Sequence, residues 1–439
     1  MKEKFNVIWF MVDQMRGDAM SNAGDPNVRT PNLDIVACNG VNFKNAVSGF
    51  PLCCPARGSF LTGEYPHKAV RGHEHPLDPK ILTIADHFND AGYYTSWLGK
   101  WHLAGWKERD GRAAKSVVPK EMRGKFKTWI GYENNNSQFD TWVHGHKEDK
   151  DVDMYRLPGF ETDCLTNMLL DEIDVHKEEN FFMSISVQPP HDPYNAPAEF
   201  MRNHSPSDIK LKKNVPDIES ITTKARKELA GYYALIENVD FNVGRVMNKL
   251  QELNLDRKTY IVFFSDHGDQ HGSHGHFRKM TPFQESIHVP HMIWGGLDER
   301  YNNHVIEPDS VTNHVDMLPT ALGLAGIEVP EYLCGHDYSS YAKKKNPNVS
   351  EPSEAYLQSI VPTMHGPSYD IPWRGILTKD KWKYIAIEGQ PLALYDLNTD
   401  PDELVNLAYH AHASVKRGEL NLLLKNWVEK TQDSFLLPN

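Results

Sequence analysis

The eleven residues Cys53-Cys54-Pro55-Ala56-Arg57-Gly58-Ser59-Phe60-Leu61-Thr62-Gly63 carry the densest chemistry in the chain. Pro55 suits the first turn of a helix, which puts Cys53 at or near a helix N-terminus. The exposed backbone N–H groups and the dipole there favour an anion. Arg57 follows Cys53 by four residues and shares its face. Two buried structural cysteines are one reading of the pair, because a free cysteine packs well in a core. A thiolate phosphatase loop is another, but Arg57 lies too near Cys53 for that spacing. A second group, Asp269, His271, His274 and His276, could supply local zinc ligands or simply form a loop on the rim of a site. Arg71, His73, Glu74 and His75 form a third, weaker group of candidate substrate contacts.

These residues must be carried by regular elements. Short apolar runs bounded by polar residues predict buried strands at Phe5–Val12, Tyr93–Leu98, Phe181–Val187 and Tyr260–Phe264. Helical patterns lie between them, at Thr30–Cys38, Thr83–Asp90, Asp163–His176 and Lys224–Leu253. In the last, Leu229, Tyr232, Ile236, Val239, Val243, Val246, Leu250 and Leu253 step by three and four, one apolar stripe facing a core. Strands alternating with helices predict an α/β fold: a large mixed, mostly parallel sheet flanked by helices. In such sheets ligands bind beyond the carboxyl ends of the strands. Asp13, Lys100, His102, His191 and the Asp266-His267 pair all follow predicted strands. After a Lys-, Asn-, Pro- and Ser-rich crossing at Lys343–Glu354 come short strand patterns at Ala355–Ile360, Arg374–Thr378, Trp382–Ile387 and Leu392–Leu397, then a helix at Val415–Lys430. The expected division is a catalytic α/β domain over 1–345 and a small C-terminal α+β subdomain with an antiparallel sheet over 346–439.

Composition narrows the function. With 439 residues, 40% of them hydrophobic and 24% charged, the chain reads as globular, not disordered or fibrous. No apolar run approaches the ~20 residues of a membrane span. A net charge of −12 without a dominant basic stretch argues against nucleic acid as a partner. It also means that an anionic substrate would need local cations. Five scattered cysteines, Cys38, Cys53, Cys54, Cys164 and Cys334, do not make a disulfide framework. A reducing compartment follows. The short apolar stretch at the N-terminus reads as a first strand, not a leader. The expected location is the cytoplasm, or the periplasm or exterior if a leader has been removed.

Cys-x-Pro-x-Arg followed by Leu-Thr-Gly resembles the signature of the type I, formylglycine-dependent sulfatases, which have an alkaline phosphatase-like fold. The resemblance extends through Asn6–Asp13, Thr30-Pro31-Asn32-Leu33-Asp34, Gly99-Lys100-Trp101-His102-Leu103, Pro190-His191-Asp192-Pro193 and Ser265-Asp266-His267-Gly268. It continues through Lys279 with Glu285 and Val289-Pro290, then Asp316, Pro319-Thr320 and Gly326. It ends in Leu394-Tyr395-Asp396-Leu397 with Asp400, Pro401 and Glu403. It implies that Cys53, not Cys54, is oxidised to Cα-formylglycine by a separate maturation enzyme. One hydroxyl of the hydrated aldehyde attacks sulfur and the other expels sulfate. It also implies a divalent metal, Ca2+ foremost with Mg2+ or Mn2+ possible, held by Asp13, Gln14, residue 53, Asp266 and His267. Lys100 and Lys279 then bind sulfate oxygens, Arg57 holds the nucleophile, His102 is the base and His191 the acid. Gln14 departs from the family's second aspartate; its amide carbonyl is still a hard-cation donor.

The expected activity is hydrolysis of a sulfate ester on a sulfated carbohydrate. Competing esters are a phosphonate monoester, a phosphodiester, an aryl sulfate or choline sulfate; an inactive sulfate-sugar binding homologue is the non-enzymatic alternative. Arg71, His73, His75 and His276 are the weak substrate-binding candidates. Lys107–Gln138 is a candidate pocket loop. Trp101, Trp106 and Trp129 could stack on sugars, although core packing suits any one of them.

Overall fold

The structure, a computed structural model, describes residues 4–107, 111–296, 305–343, 351–362 and 370–438. Its centre is a mixed sheet of nine strands, β1 (Asn6–Asp13), β2 (Val41–Asn42), β3 (Tyr94–Lys100), β4 (Thr128–Tyr132), β5 (Trp142–Lys147), β6 (Lys150–Arg156), β7 (Phe181–Pro190), β8 (Thr259–Ser265) and β9 (His291–Gly295). Their order is β2-β9-β8-β1-β7-β3-β4-β5-β6. The parallel part is the central five, β8-β1-β7-β3-β4. The outer strands on both sides pair antiparallel.

The four strands expected from apolar runs are β1, β3, β7 and β8. Three of them are buried along their whole length on both faces because helices cover them, and β8 is likewise buried. The flanking strands left no such trace. β6, Lys-Asp-Val-Asp-Met-Tyr-Arg, is mostly exposed and reads as a polar loop until it pairs with β5. β4 lies inside Lys107–Gln138, which is therefore only partly loop; positions 108–110 of that span lie outside the described residues.

Helices cover both faces. On one, the Glu219–Glu252 helix lays its expected stripe on the sheet beside the Glu161–His176 helix; Leu229 and Tyr232 through Leu250 of that stripe are buried. On the other, the Cys53–Thr62, Ile84–Asp90 and Met317–Ala325 helices pack around Trp9, Trp97, Trp101 and Trp129. Trp9 of β1 meets Phe60, Phe182 and Phe264 edge-on at centroid separations of 5.8, 5.2 and 5.3 Å. That cluster fastens the Cys53–Thr62 helix beside the carboxyl end of β1.

A separate antiparallel sheet, β10 (Glu354–Ser359), β11 (Trp373–Thr378), β12 (Trp382–Ile387) and β13 (Gln390–Asp396), carries the Ser414–Thr431 helix on one face. Its other face packs on Val47, Ile287 and Val311 of the first unit. The 345/346 boundary and most of the expected Lys343–Glu354 linker lie at 344–350, outside the described residues, and Glu354 already begins β10.

The close pairing of β3 with β7 restricts the residue before Lys100. Gly99 has φ +103°, and a Cβ there would stand 2.2 Å from the Ser186 carbonyl oxygen. A Gly99→Ala variant combines a disfavoured backbone with a backbone clash. It is expected to lose about 2 kcal/mol or more of unfolding free energy, measured by urea denaturation followed by tryptophan fluorescence.

Candidate active site

The carboxyl ends of β1, β3, β7 and β8 and the start of the Cys53–Thr62 helix meet at one buried point. Leu52 is the extended residue before that helix, so Cys53 begins it. Every residue of the helix is buried. It survives burial of Arg57 because that guanidinium is spent on charged and polar partners. Its Nη2 lies 3.1 Å from Asp13 Oδ2 and 3.2 Å from Asp266 Oδ2. Its Nη1 donates to Ser186 Oγ at 2.8 Å and to the Lys100 carbonyl at 3.1 Å. Arg57 thus ties the helix to all four strand ends.

Four groups approach the Cys53 sulfur: His267 Nε2 at 3.1 Å, Lys279 Nζ at 3.2 Å, Asp13 Oδ1 at 3.7 Å and Lys100 Nζ at 3.9 Å. Lys100 also pairs with Asp13 Oδ2 at 2.7 Å. Burial would raise the Asp13 pKa, but the neighbouring cations, Lys100 foremost with Arg57, outweigh it and hold the carboxyl well below its usual range. Burial would lower Lys279, yet the acidic groups around it, Asp13 and Asp266 among them, keep it protonated. Cys53 stands here as the unmodified thiol.

Asp13, Cys53, Asp266 and His267 each offer a ligand atom, and these atoms lie within 4.8 Å of one another. Burial lowers the His267 pKa and leaves the ring neutral. Its Nδ1 is 2.9 Å from the Gly268 carbonyl, so the proton sits there and the Nε2 lone pair faces the group. That lone pair stands 3.7 Å from Asp13 Oδ1 and 3.7 Å from Asp266 Oδ1. Three electron-pair donors facing one another in a buried place fit a divalent cation. Gln14 stands beside the group. Its amide oxygen accepts from Lys279 Nζ at 3.0 Å, and its Nε2 donates to Asp269 Oδ2 at 2.6 Å.

His191 Nε2 lies 3.1 Å from Lys279 Nζ, and its Nδ1 2.7 Å from the Asp192 carbonyl. His102 is buried, and burial with Lys100, His73 and Arg57 nearby holds its pKa well below 6.5. Its ring groups with Cys54 and His73, and neither ring nitrogen has a hydrogen-bond partner among the described residues.

The remaining candidates separate. Arg71 and His75 are exposed; His276 is half-buried near Phe283. Asp269, His271, His274 and His276 do not close on one point among the described residues. His271 lies between Asp269 and Glu228, whereas His274 stacks on Phe283 and groups with Glu285 and Glu403. Nor is this segment all rim, since Asp269 and His271 are buried. Trp101 and Trp129 are core and Trp106 is exposed. Sequence reading passed over Ser186, which accepts from Arg57, and Tyr194, whose hydroxyl accepts from Gln14 Nε2 at 3.1 Å and donates to Asp269. A serine inside a strand, or a tyrosine after one, carries no signal until its neighbours are known.

A buried nucleophile position at a helix start, two lysines and a carboxylate–imidazole cation site at the carboxyl ends of a mixed sheet define a hydrolase of anionic esters with the alkaline phosphatase-like fold. The sulfatase family model matches residues 5–327, and the model described as N-sulphoglucosamine sulphohydrolase, C-terminal, matches 272–431. The chain belongs to the sulfatase family and is a sulfuric ester hydrolase. It is 32% identical to an ulvan-active sulfatase of Formosa agariphila, over 98% of this chain and 82% of that one. It is 28% identical to an arylsulfatase of Clostridium perfringens, over 92% and 90%. The crystal structure of yidJ from Bacteroides fragilis superposes with a TM-score of 0.85 at 26% identity, covering 99% of this chain and 97% of that one.

Two outcomes follow from this electrostatic arrangement. A cation that binds only the folded state stabilises it by about 2.7 kcal/mol at a hundredfold excess over Kd. Calcium, magnesium or manganese titrated into the metal-stripped protein should raise its melting temperature, and Asp266→Asn should abolish the rise. Burial also pushes His314, which faces the Ser265 carbonyl, down to about 4, and His291 down to about 3. The unfolded chain takes up protons near 6.5 that the folded chain refuses, so stability is full above that pH and falls as pH drops toward 4. Each histidine should contribute a loss of about 2 kcal/mol between pH 7 and pH 5, read as a shift in urea midpoint that His314→Gln reduces.

Proposed function

We propose that this enzyme removes sulfate from a sulfated carbohydrate, with residue 53 converted to Cα-formylglycine by a maturation enzyme and Ca2+ held by Asp13, Asp266 and His267. The observation that supports this most directly is the convergence of Lys100, Lys279, His267 and Asp13 on the side chain of residue 53. The hydrated aldehyde supplies the nucleophilic hydroxyl, and the cation supplies Lewis-acid activation. Lys100 and Lys279 take the sulfate oxygens as point charges. Arg57 holds Asp13 and Asp266 in place while its own helix presents residue 53. His102, neutral through burial, accepts the proton released as the ester is regenerated to aldehyde and sulfate. His191 gives a proton to the leaving alcohol. At rest its Nε2 faces the Lys279 ammonium; sulfate drawing that ammonium away opens Nε2 to a proton.

The carbohydrate assignment draws on the similarity to the ulvan-active sulfatase. Mass spectrometry of the peptide spanning Cys53, after co-expression with a formylglycine-generating enzyme, should show aldehyde in place of thiol. Sulfated mono- and oligosaccharides should then be turned over faster than 4-nitrophenyl sulfate, choline sulfate or a phosphonate monoester. Thiol with no turnover, or a phosphonate preference, would sink the proposal. Lys279→Ala should lower kcat/KM by about 10²–10³. His191→Asn should lower it by about 10²–10⁴ for sugar sulfates and far less for aryl sulfates, whose leaving groups need no proton.

A further inference from the structure

Behind the nucleophile lies a second donor group of different chemistry. Cys54 Sγ, a ring nitrogen of His73 and a ring nitrogen of His102 lie within 4.8 Å of one another. Cys54 is fully buried and His102 is only 3% exposed. Both nitrogens of His102 are buried and have no hydrogen-bond partner among the described residues, which leaves an imidazole lone pair unused within reach of the thiol. The His73 and His102 rings meet edge-on at 5.6 Å. Burial pushes the Cys54 thiol well above its usual pKa, so a metal would have to displace its proton, and the Glu74 backbone amide facing the sulfur offsets this only in part. One sulfur and two imidazoles form a soft donor set, unlike the carboxylate-rich group at Asp13 and Asp266.

We propose that Cys54, His73 and His102 form a soft-metal site that binds Zn2+ and thereby inhibits the enzyme. Three protein ligands leave a fourth tetrahedral position for water. Ligand atoms in such a site stand about 3.5 Å apart, so small side-chain rotations close it. The Cys54 thiol gives its proton to solvent on binding and nothing is oxidised or reduced. Lys100 and Arg57 lie close enough to His102 to oppose a second dication, which makes the site reversible and not structural. Inhibition rests on the role proposed above for His102: zinc takes the lone pair that would accept the proton. Binding does not rest on it.

The two are separated by titrating Co2+, a spectroscopic substitute for Zn2+, into calcium-loaded protein. Cys53→Ala protein has lost the only thiol of the neighbouring metal group, so a thiolate-to-cobalt absorption band that persists in it and disappears in the Cys53→Ala/Cys54→Ser double variant, both checked for folding by circular dichroism, is the expected result. No band in Cys53→Ala protein, or one retained in the double variant, overturns the site. His73→Ala should weaken Co2+ binding by at least about tenfold, and unchanged affinity overturns the site independently of how Cys54→Ser folds. In matured enzyme Zn2+ should inhibit turnover reversibly, and Cys54→Ser should raise the inhibitory concentration at least about tenfold. A lost cobalt band with undiminished zinc inhibition would leave the site standing and overturn the part assigned to His102.

Discussion

Arg57 between Asp13 and Asp266 is the contact on which the active centre depends. Two carboxylates and a guanidinium, all removed from water, would be unstable separately. Their geometry, with Nη2 about equidistant from both acids, compensates each desolvated charge. The same guanidinium reaches Ser186 and the Lys100 backbone, so one side chain sets the relative position of the nucleophile helix and the ends of β1, β3, β7 and β8. The pair is also incomplete as a charge balance. Asp13 Oδ1 and the lone pair of His267 still face inward, which is why the centre suits a cation and an anion bound together.

The second sheet supports this centre from outside. Trp373 of β11 donates its indole N–H to the Met280 carbonyl, the residue after Lys279. Gln358 of β10 donates its backbone N–H to Gly49, ahead of Cys53. Buried Lys383 of β12 reaches the Pro282 carbonyl and pairs with Glu403. The apolar residues Phe50, Leu52, Met280 and Ile360 fill the space between. The loop carrying Lys279 is thus held by the C-terminal sheet and not by its own secondary structure, and the spacing between Lys279 and residue 53 depends on both sheets.

The net charge of −12 looks unfavourable for an anionic substrate only as a sum. Arg57, Lys100 and Lys279 are concentrated at one buried point where the local dielectric magnifies them, while the acidic excess is dispersed and screened by solvent. A soft donor group, Cys54, His73 and His102, stands beside the harder group of Asp13, Asp266 and His267.

Much of this was written in linear sequence. The four central strands are apolar runs because both faces are covered, and the polar residues that end them stand out by contrast. The long helix advertises its buried side by three-and-four spacing, and the Cys-x-Pro-x-Arg stretch places a nucleophile and a guanidinium one helical turn apart. Those signals are local, set by the backbone repeat of a single element. The flanking strands β4, β5 and β6 gave weaker signals because their pairing, not their composition, makes them strands. Likewise the division of Cys53 from Cys54, one neighbouring Lys279 and His267 and the other His73 and His102, was beyond the reach of spacing. Adjacent residues at a helix start point about 100° apart, and only the packing of the helix between distant loops decides what each thiol meets.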